Sequence, residues 1–500
     1  MRMLFDNDNN NNSSSSQEGA MLIKASGMIL AIALALAALP INSSSALLTN
    51  SPLSHAISSS SSSNSLTSDP LAGLMYVLNA NSSSISVVDL STNQILREIT
   101  FDGIPQNIKL SEDQLTLYVT TITTNGDSGK IFMLNTISNE LKNESISTEV
   151  SGHDTEVSNG TLYISDTVGR KVLVMNEGGT IIDEIDVAPS PQFIEARPDG
   201  QVLYVTSSEG PIIVVDLEHN AVIKEIDSGN GPHSLSFSNN GARLFMTNAE
   251  NDTLSIIDSA NHEVIKTLPV GDNPKYVLLN PEETLAYVTN MDSNTVSIVD
   301  AQLLEVISEI PVGNGPYGIA FSADGGDLSY VSNMRGNDVS IIDTASSNIV
   351  TTISTGGAGP SQMVIRKPSI DIVRSEEDND NNNNISSLIA RVFVEVPDDA
   401  QEHMRGLMFR QHLPWNAGML FRYSHEIPQT FWMKNTSIPL DMIFIGSSSE
   451  IVDIIENASP CEQDPCPTYP SDEPAQYVLE VNAGFVQQNG VKLGDRLLVS

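Results

Sequence analysis

The chain has 500 residues, too many for one ordinary hydrophobic core, so two or three domains are expected. It carries 62 Asp and Glu against 24 Lys and Arg, a formal net charge of −38. Such a surface repels nucleic acid and anionic lipid headgroups, which excludes both as expected partners and suits solubility in an extracytoplasmic or salty medium.

Residues 1–20 are low-complexity and read as disordered. Residues 21–41 place Lys24 before an apolar run, 27–39, that ends at Pro40. That run has the length of a signal h-region and is short for a membrane span, so a signal peptide or N-terminal anchor is expected. Met21 is the expected start; cleavage near Ala46 or Ala56 and an uncleaved anchor both stay open. Only this segment is expected to touch a membrane. Residues 42–69 are serine-rich and read as a flexible stalk. Sequons at Asn42, Asn81, Asn159, Asn251 and Asn457 suit an exported chain.

From 70 to 367 the chain repeats. "LMYVLNANSSSISVVDLSTNQILREI", "LFMTNAENDTLSIIDSANHEVIKTL" and "AYVTNMDSNTVSIVDAQLLEVISEI" are three copies, anchored by an aromatic at Tyr76, Tyr118, Tyr163, Tyr204, Phe245, Tyr287 and Tyr330. Seven copies of about 42 residues, each with short alternating runs and Asn/Gly/Asp turns, predict a seven-bladed β-propeller in an all-β chain. Each repeat offers strands of type "YVTN", "VSIVD" and "VISEI", then a fourth of type "GPYGIAFS". "GPSQMVIRK", 359–367, is expected to complete the first blade and remove the open sheet edge. These repeats resemble the YVTN family of propellers of archaeal and bacterial surface proteins over about 74–366, a resemblance that implies the fold rather than an activity.

The fourth-type strands are expected to line the channel with Gln106, Asp154, Gln192, His233, Lys275, Tyr317 and Ser361. One imidazole is too few for a copper or iron centre, so His233 reads as a hydrogen bonder at the channel mouth. The Asn and Asp of "TNAENDT", "TNMDSNT" and "SNMRGND" read as turn formers, with calcium in one loop as the alternative.

Residues 368–388 are acidic and Asn-rich and read as a linker; 389–500 show no propeller period. There, "DDAQEHMRGLMFR" predicts a short helix capped by Asp398 or Asp399, and six β-like runs follow. "RGLMFRQHLP", "GMLF", "FWMKNTSIPLDMIFI" and "YVLEVNAGFV" together resemble domain of unknown function family 192 over nearly all of 391–498. The resemblance implies a small β-sandwich or barrel, with one or two short helices, and no established reaction.

In "FWMKNTSIPLDMIF", alternation puts Trp432 and Lys434 on one face and Phe431, Met433 and Asn435 on the other. After the turn, Leu440, Met442 and Phe444 alternate with Asp441, Ile443 and Ile445. The economical reading is a core strand–turn–strand unit with Lys434 paired to Asp441 at its mouth. The alternative is a pocket framed by Arg405, Arg410, Trp432, Lys434, Asn435 and Asp441 for a small anion or sugar. Met404, Met408, Met419, Met433 and Met442, interleaved with His403, His412 and His425, read as core filler, with a copper site as the alternative. Cys461 and Cys466 in "PCEQDPCP" read as a local disulfide of an oxidising compartment, or else as a metal-binding pair.

The chain is therefore expected to be an exported binding or scaffold protein, secreted or anchored at the cell surface, whose propeller meets a protein or glycan partner. No cofactor is expected. Copper handling by the methionine-rich domain and an enzyme of unidentified small-molecule substrate are the alternatives. A Ser/His/Asp order, paired carboxylates in context and a phosphate loop are not apparent, which argues against the enzyme.

Overall fold

The computed structural model describes residues 73–499, except 124–127, 143–145, 149–151, 177, 188–189, 208–209, 228, 324–325, 378–383, 398–399, 411–412 and 462–463. The expected disordered segment, signal or anchor, and stalk lie outside the described residues, as does His412.

Seven antiparallel sheets form the blades of a propeller. Their inner strands are β1 (Ile104–Leu110), β2 (Gly152–Ser158), β3 (Pro191–Ala196), β4 (Pro232–Phe237), β5 (Pro274–Leu279), β6 (Pro316–Phe321) and β7 (Pro360–Arg366). Each lies against its two neighbours, and β7 against β1 closes the circle. β7 also pairs with Leu74–Asn79, the first strand of the chain's first repeat, with Tyr76 opposite Val364. The last strand thus completes the first blade, as the sequence predicts.

Burial follows position in the blade. The second and third strands, such as Leu285–Asn290 and Thr295–Asp300, are packed on both faces and read as near-continuous apolar runs. The outer strands, such as Asn348–Ser354, are mostly exposed. The repeat aromatic sits in the core between blades: Tyr76, Tyr204 and Tyr287 are fully buried. Their hydroxyls still need partners; that of Tyr76 donates to Asn139 Oδ1 at 2.7 Å.

The hydroxyl residue of the second strand has a specific task. Each inner strand is bulged after its Gly-Pro-like start, as between Pro274 and Val277, leaving a backbone N–H without a ladder partner. Thr289 Oγ1 accepts from that N–H of Tyr276 at 3.0 Å and donates to the Tyr317 carbonyl of the next blade at 2.6 Å. Thr247 serves Ser234 and Lys275 in the same way, at 3.0 and 3.1 Å. Ser165 serves Asp154 and Gln192, and Ser332 serves Gly318 and Ser361.

The following asparagine is a correction to the sequence reading. Asn248, Asn290 and Asn333 are fully buried strand ends rather than turn formers. Asn290 Nδ2 donates to Thr295 and Ser297 hydroxyls at 3.0 and 2.8 Å. Gly271 packs directly on it, where a Cβ would come within 2.7 Å of the amide. The later residues, Asp252, Asn294 and Asn337, do hold positive φ, as expected of turns.

The stretch expected as a linker, 368–388, instead supplies β8 (Ser369–Glu377) and the start of β9 (Asn384–Glu395). Ile370, Ile372 and Val373 alternate imperfectly across a bulge, which hid the strand beside so acidic a neighbourhood. After α1 (Ala400–Arg405) come β10 (Ala417–Ile427), β11 (Thr430–Trp432), β12 (Leu440–Ile445), β13 (Ile451–Ala458), β14 (Thr468–Pro470), β15 (Ala475–Asn482), α2 (Phe485–Asn489) and β16 (Arg496–Val499). The main sheet runs β13-β12-β15-β10-β9-β8-β16, parallel only between β9 and β10. Its end strands meet: Glu450 bridges Arg496, and Leu497 N–H donates to Ser449 O at 2.8 Å. The sheet therefore closes like a barrel. Ile443, Ile445, Leu479, Val481 and Leu497 fill one core, and Leu440, Met442, Phe444 and Val478 face a second, shared with Leu407, Leu413 and Phe431 of β11.

Thr289→Val should lower the unfolding free energy by roughly 1–3 kcal/mol, because it strands the Tyr276 N–H and the Tyr317 carbonyl. Urea midpoints read this directly. Thr289→Ser should stay near wild type, and a valine variant with an unchanged midpoint would show that the hydroxyl holds nothing.

Candidate functional site in the propeller channel

The bulge that the threonine satisfies also decides which side chains meet in the channel. Residues one position beyond the expected ring line a cavity on six of the seven inner strands, so a second ring lies beside the expected one. The cavity there has a volume of about 340 Å³. Asn107, Asp154, Phe193, Ser234, Tyr276 and Gln362 line it, with Lys109, Glu156, Glu195 and Leu278 two positions further along their strands.

Of the expected ring, Asp154 alone lines this cavity. Its blade begins "GHD", so His153 takes the upper position and Asp154 the lower. Gln106 folds back on the Ile104 carbonyl at 3.2 Å, and Ser361 Oγ donates to Leu78 O at 3.4 Å. His233 stacks at 4.2 Å on Phe193, which meets His153 edge-on at 5.0 Å; Tyr317 closes the group at 5.8 Å from His233. Burial lowers both imidazoles, His153 to about 4, so both are neutral near pH 7. Burial also lowers Lys275. Gln192 lies on β3 with its carbonyl taken by Ser165.

The charged group is Lys109, Asp154, Glu156 and Glu195, from three adjacent blades. Lys109 Nζ forms an ion pair with Glu156 and lies 3.9 Å from Glu195. Asp154 accepts the Ile194 N–H at 2.9 Å and that of Thr155 at 2.8 Å. Burial pushes the Asp154 carboxyl up to about 7 and that of Glu195 up to about 8, even with Lys109 pulling both down. Glu156 is raised by the same burial. For Lys109, burial works downward, but Glu156 and Glu195 together raise it above its ordinary value. The arrangement holds one fixed ammonium among three carboxyls raised by burial, two of which, Asp154 and Glu195, are poised to gain or lose protons near neutrality.

Lys109, Glu156, Glu195, Tyr276 and Asn107 were not anticipated from the sequence. The available signal is a charged residue late in three successive inner strands, "IPQNIKL", "GHDTEVS" and "PQFIEA". The other four repeats carry Ser236, Leu278, Ala320 and Val364 there.

In the C-terminal domain the six expected pocket residues do not converge. Arg405 faces the propeller, 3.6 Å from Asp327, and Arg410 forms a two-toothed pair with Glu395. Lys434 and Asp441 do not pair, which corrects the expectation. Lys434 reaches Asp464 of the disulfide loop at 3.4 Å and lies 5.5 Å over the half-exposed Trp432 ring. Asp441 is fully buried and accepts the Asn457 and Val486 backbone N–H groups at 2.9 and 3.0 Å, holding β13 and α2 together. Asn435 sits at φ 57°, its N–H on the Cys461 carbonyl at 3.0 Å. Cys461 and Cys466 are disulfide-bonded.

Met419, Met433 and Met442 share one buried layer, whereas Met404 is exposed and Met408 lies outside that layer's buried residues. Among the described residues, no three His, Cys, Asp or Glu side chains are placed to hold a metal ion. The same layer contains Glu480, opposite Met419 on one side and Met442 on the other, and only 5% exposed. Burial pushes its carboxyl from 4.5 up to about 8.

A carboxyl whose folded pKa exceeds its unfolded one takes up a proton on folding. Glu480 should therefore leave stability untouched below about pH 4.5 and erode it, by on the order of a few kcal/mol, as pH rises to about 8. Glu480→Gln should flatten that slope in urea titrations at pH 5 and 8; parallel pH dependences in variant and wild type would rule it out.

Residues 382–499 match the family model DUF192, described as "Uncharacterized ACR, COG1430". None of the curated proteins matches the chain. Among solved structures, a functionally unknown protein from Desulfotomaculum acetoxidans DSM 771 is 14% identical, with a TM-score of 0.52 over 59% of this chain and 99% of its own. That likeness concerns fold alone. Hydrazine synthase of Kuenenia stuttgartiensis is 19% identical, with a TM-score of 0.49 over 55% of this chain and 94% of its own. A putative transcription regulator from Sinorhizobium meliloti 1021 is 36% identical over 27% of this chain and 94% of its own, with a TM-score of 0.22. Taken with the blades and the closed sheet, the family match makes this chain a seven-bladed β-propeller joined to a C-terminal DUF192 domain.

Proposed function

We propose that this is an exported binding protein whose propeller channel takes a small ligand. The observation that carries the reading is the 340 Å³ cavity, within the usual range of small-molecule sites, with a fixed set of charged and aromatic side chains on its wall. A scaffold alone has no need of Lys109, Asp154, Glu156 and Glu195 in its centre, since desolvating them costs stability that Leu278 or Val364 would not. The apolar run 27–39, the serine-rich 42–69 and the disulfide support export. The exposed blade loops and the outer strands leave surface for the protein or glycan partner expected at the cell surface.

Thermal-shift screening of the purified chain against separate sets of amines, polyols and carboxylates tests the channel. At least one set should raise the melting temperature, and Leu278→Trp, which fills the cavity wall, should abolish the rise. Shifts that survive Leu278→Trp, or none from any set, would overturn the channel as the binding site. Fractionation of the native host tests export: the chain should be found outside the cytoplasm.

A further inference from the structure

We infer that the channel ligand is a small organic cation, an amine protonated at neutral pH and carrying no carboxylate; this rests on the reading of the channel as a binding site. Three features of the wall point the same way.

The first is charge. Asp154, Glu156 and Glu195 share a single ammonium, Lys109. Glu156 holds it directly, Glu195 stands 3.9 Å off, and Asp154 has two backbone N–H groups in place of a counter-ion. With every group ionised the wall is short of positive charge, and a bound cation supplies it. Lys275, the other channel ammonium, acts on His233 and Asp292 rather than on these carboxyls, and the remaining groups facing the cluster add no positive charge. Tyr276 and Tyr317 are held in the neutral form by burial, and His153 and His233 are neutral.

The second is the hydrogen-bond inventory. Asn107 Oδ1 and Thr155 Oγ1 lie at the cavity, in side chains 5% and 2% exposed, and neither atom has a partner. The donors on the same wall are Lys109, Tyr276, the Asn107 and Gln362 amide N–H groups and the Thr155 and Ser234 hydroxyls, and of these only Lys109 brings a positive charge to the carboxylates. A ligand that fits brings N–H groups.

The third is the aromatic wall. Phe193 and Tyr276 line the cavity, and ring faces attract an ammonium within about 6 Å. A divalent metal fits less well, because no three of these side chains converge as ligands. A carboxylate on the ligand would meet Asp154 and Glu195, which disfavours amino acids.

Cation binding holds Asp154 and Glu195 ionised, so it should release protons near pH 7 and strengthen as pH rises from 6 to 8.5. Isothermal titration of the full chain, at fixed ionic strength, uses five probes: butylammonium, 1,4-diammoniobutane, glycine, erythritol and calcium chloride. An ammonium probe should bind, more tightly at pH 8.5 than at pH 6. Glu195→Gln and Asp154→Asn should each weaken it about tenfold or more, equivalent to about 1.4 kcal/mol. Leu278→Trp should abolish it. Heat from erythritol or glycine alone, lost in Leu278→Trp, would overturn the cation and leave the channel as a site. Calcium binding without ammonium binding overturns the organic cation. Ammonium binding indifferent to all three substitutions overturns both readings, and silence from both ammonium probes overturns the inference. Retained circular dichroism and melting temperature keep a folding defect from passing as lost affinity.

Discussion

The propeller depends on one repeated interaction: a hydroxyl on the second strand of a blade that bonds a bulged N–H in its own blade and a carbonyl in the next. A bulge in an inner strand would otherwise strand a donor in a dry place, where an unmade hydrogen bond is expensive. Filling that gap with Thr289, Thr247, Ser332 or Ser165 turns a local defect into a joint between blades. The tyrosine layer adds apolar burial between the same blades, but burial has no direction. The hydroxyl fixes register, and the asparagine beside it locks the strand end against a close-packed glycine.

The same bulge shapes the channel. By turning consecutive residues inward it creates two rings where simple alternation allows one. The upper ring carries the neutral His153, His233 and Tyr317, its two imidazoles packed on Phe193 of the lower ring, with Lys275 beside them. The lower ring and the positions beyond it collect charge on three adjacent blades only. Sevenfold geometry is thus used unevenly: late in the inner strands four blades place Ser236, Leu278, Ala320 and Val364, and three place Lys109, Glu156 and Glu195. Repetition accounts for the scaffold, and departure from repetition marks the chemistry.

This contrast explains what could be read from the amino-acid string. Blade number, strand order and ring closure were legible because a period of about 42 residues leaves its trace in every copy. So was the alternation of Leu440, Met442 and Phe444 against Ile443 and Ile445, which needs only the pleat. The channel cluster was not, because a bulge shifts side-chain direction by one position without any residue type that announces it. Asp154 was named for a neighbouring slot, and nothing in the repeat pattern singles out Lys109 or Glu195. The Lys434–Asp441 pairing failed for a related reason. A turn brings residues near, but Asp441 found stronger partners in two backbone amides, and Lys434 was claimed by a loop thirty residues away. The acidic stretch after 368 was read as a linker because its composition lacks a clean apolar alternation, while β8 pairs on both sides.

Ring closure by β7 carries a consequence for how the molecule comes into being. The first blade is made early but lacks its innermost strand until most of the chain has been synthesised. Through that interval Leu74–Asn79 presents an unpaired edge, and the ring stays an open arc. Only two residues separate the end of β7 from the start of β8, so the first strand of the second domain emerges directly behind the clasp. A chain that crosses a membrane as an extended thread meets no obstacle in this order, because no blade ring can lock before its last strand arrives.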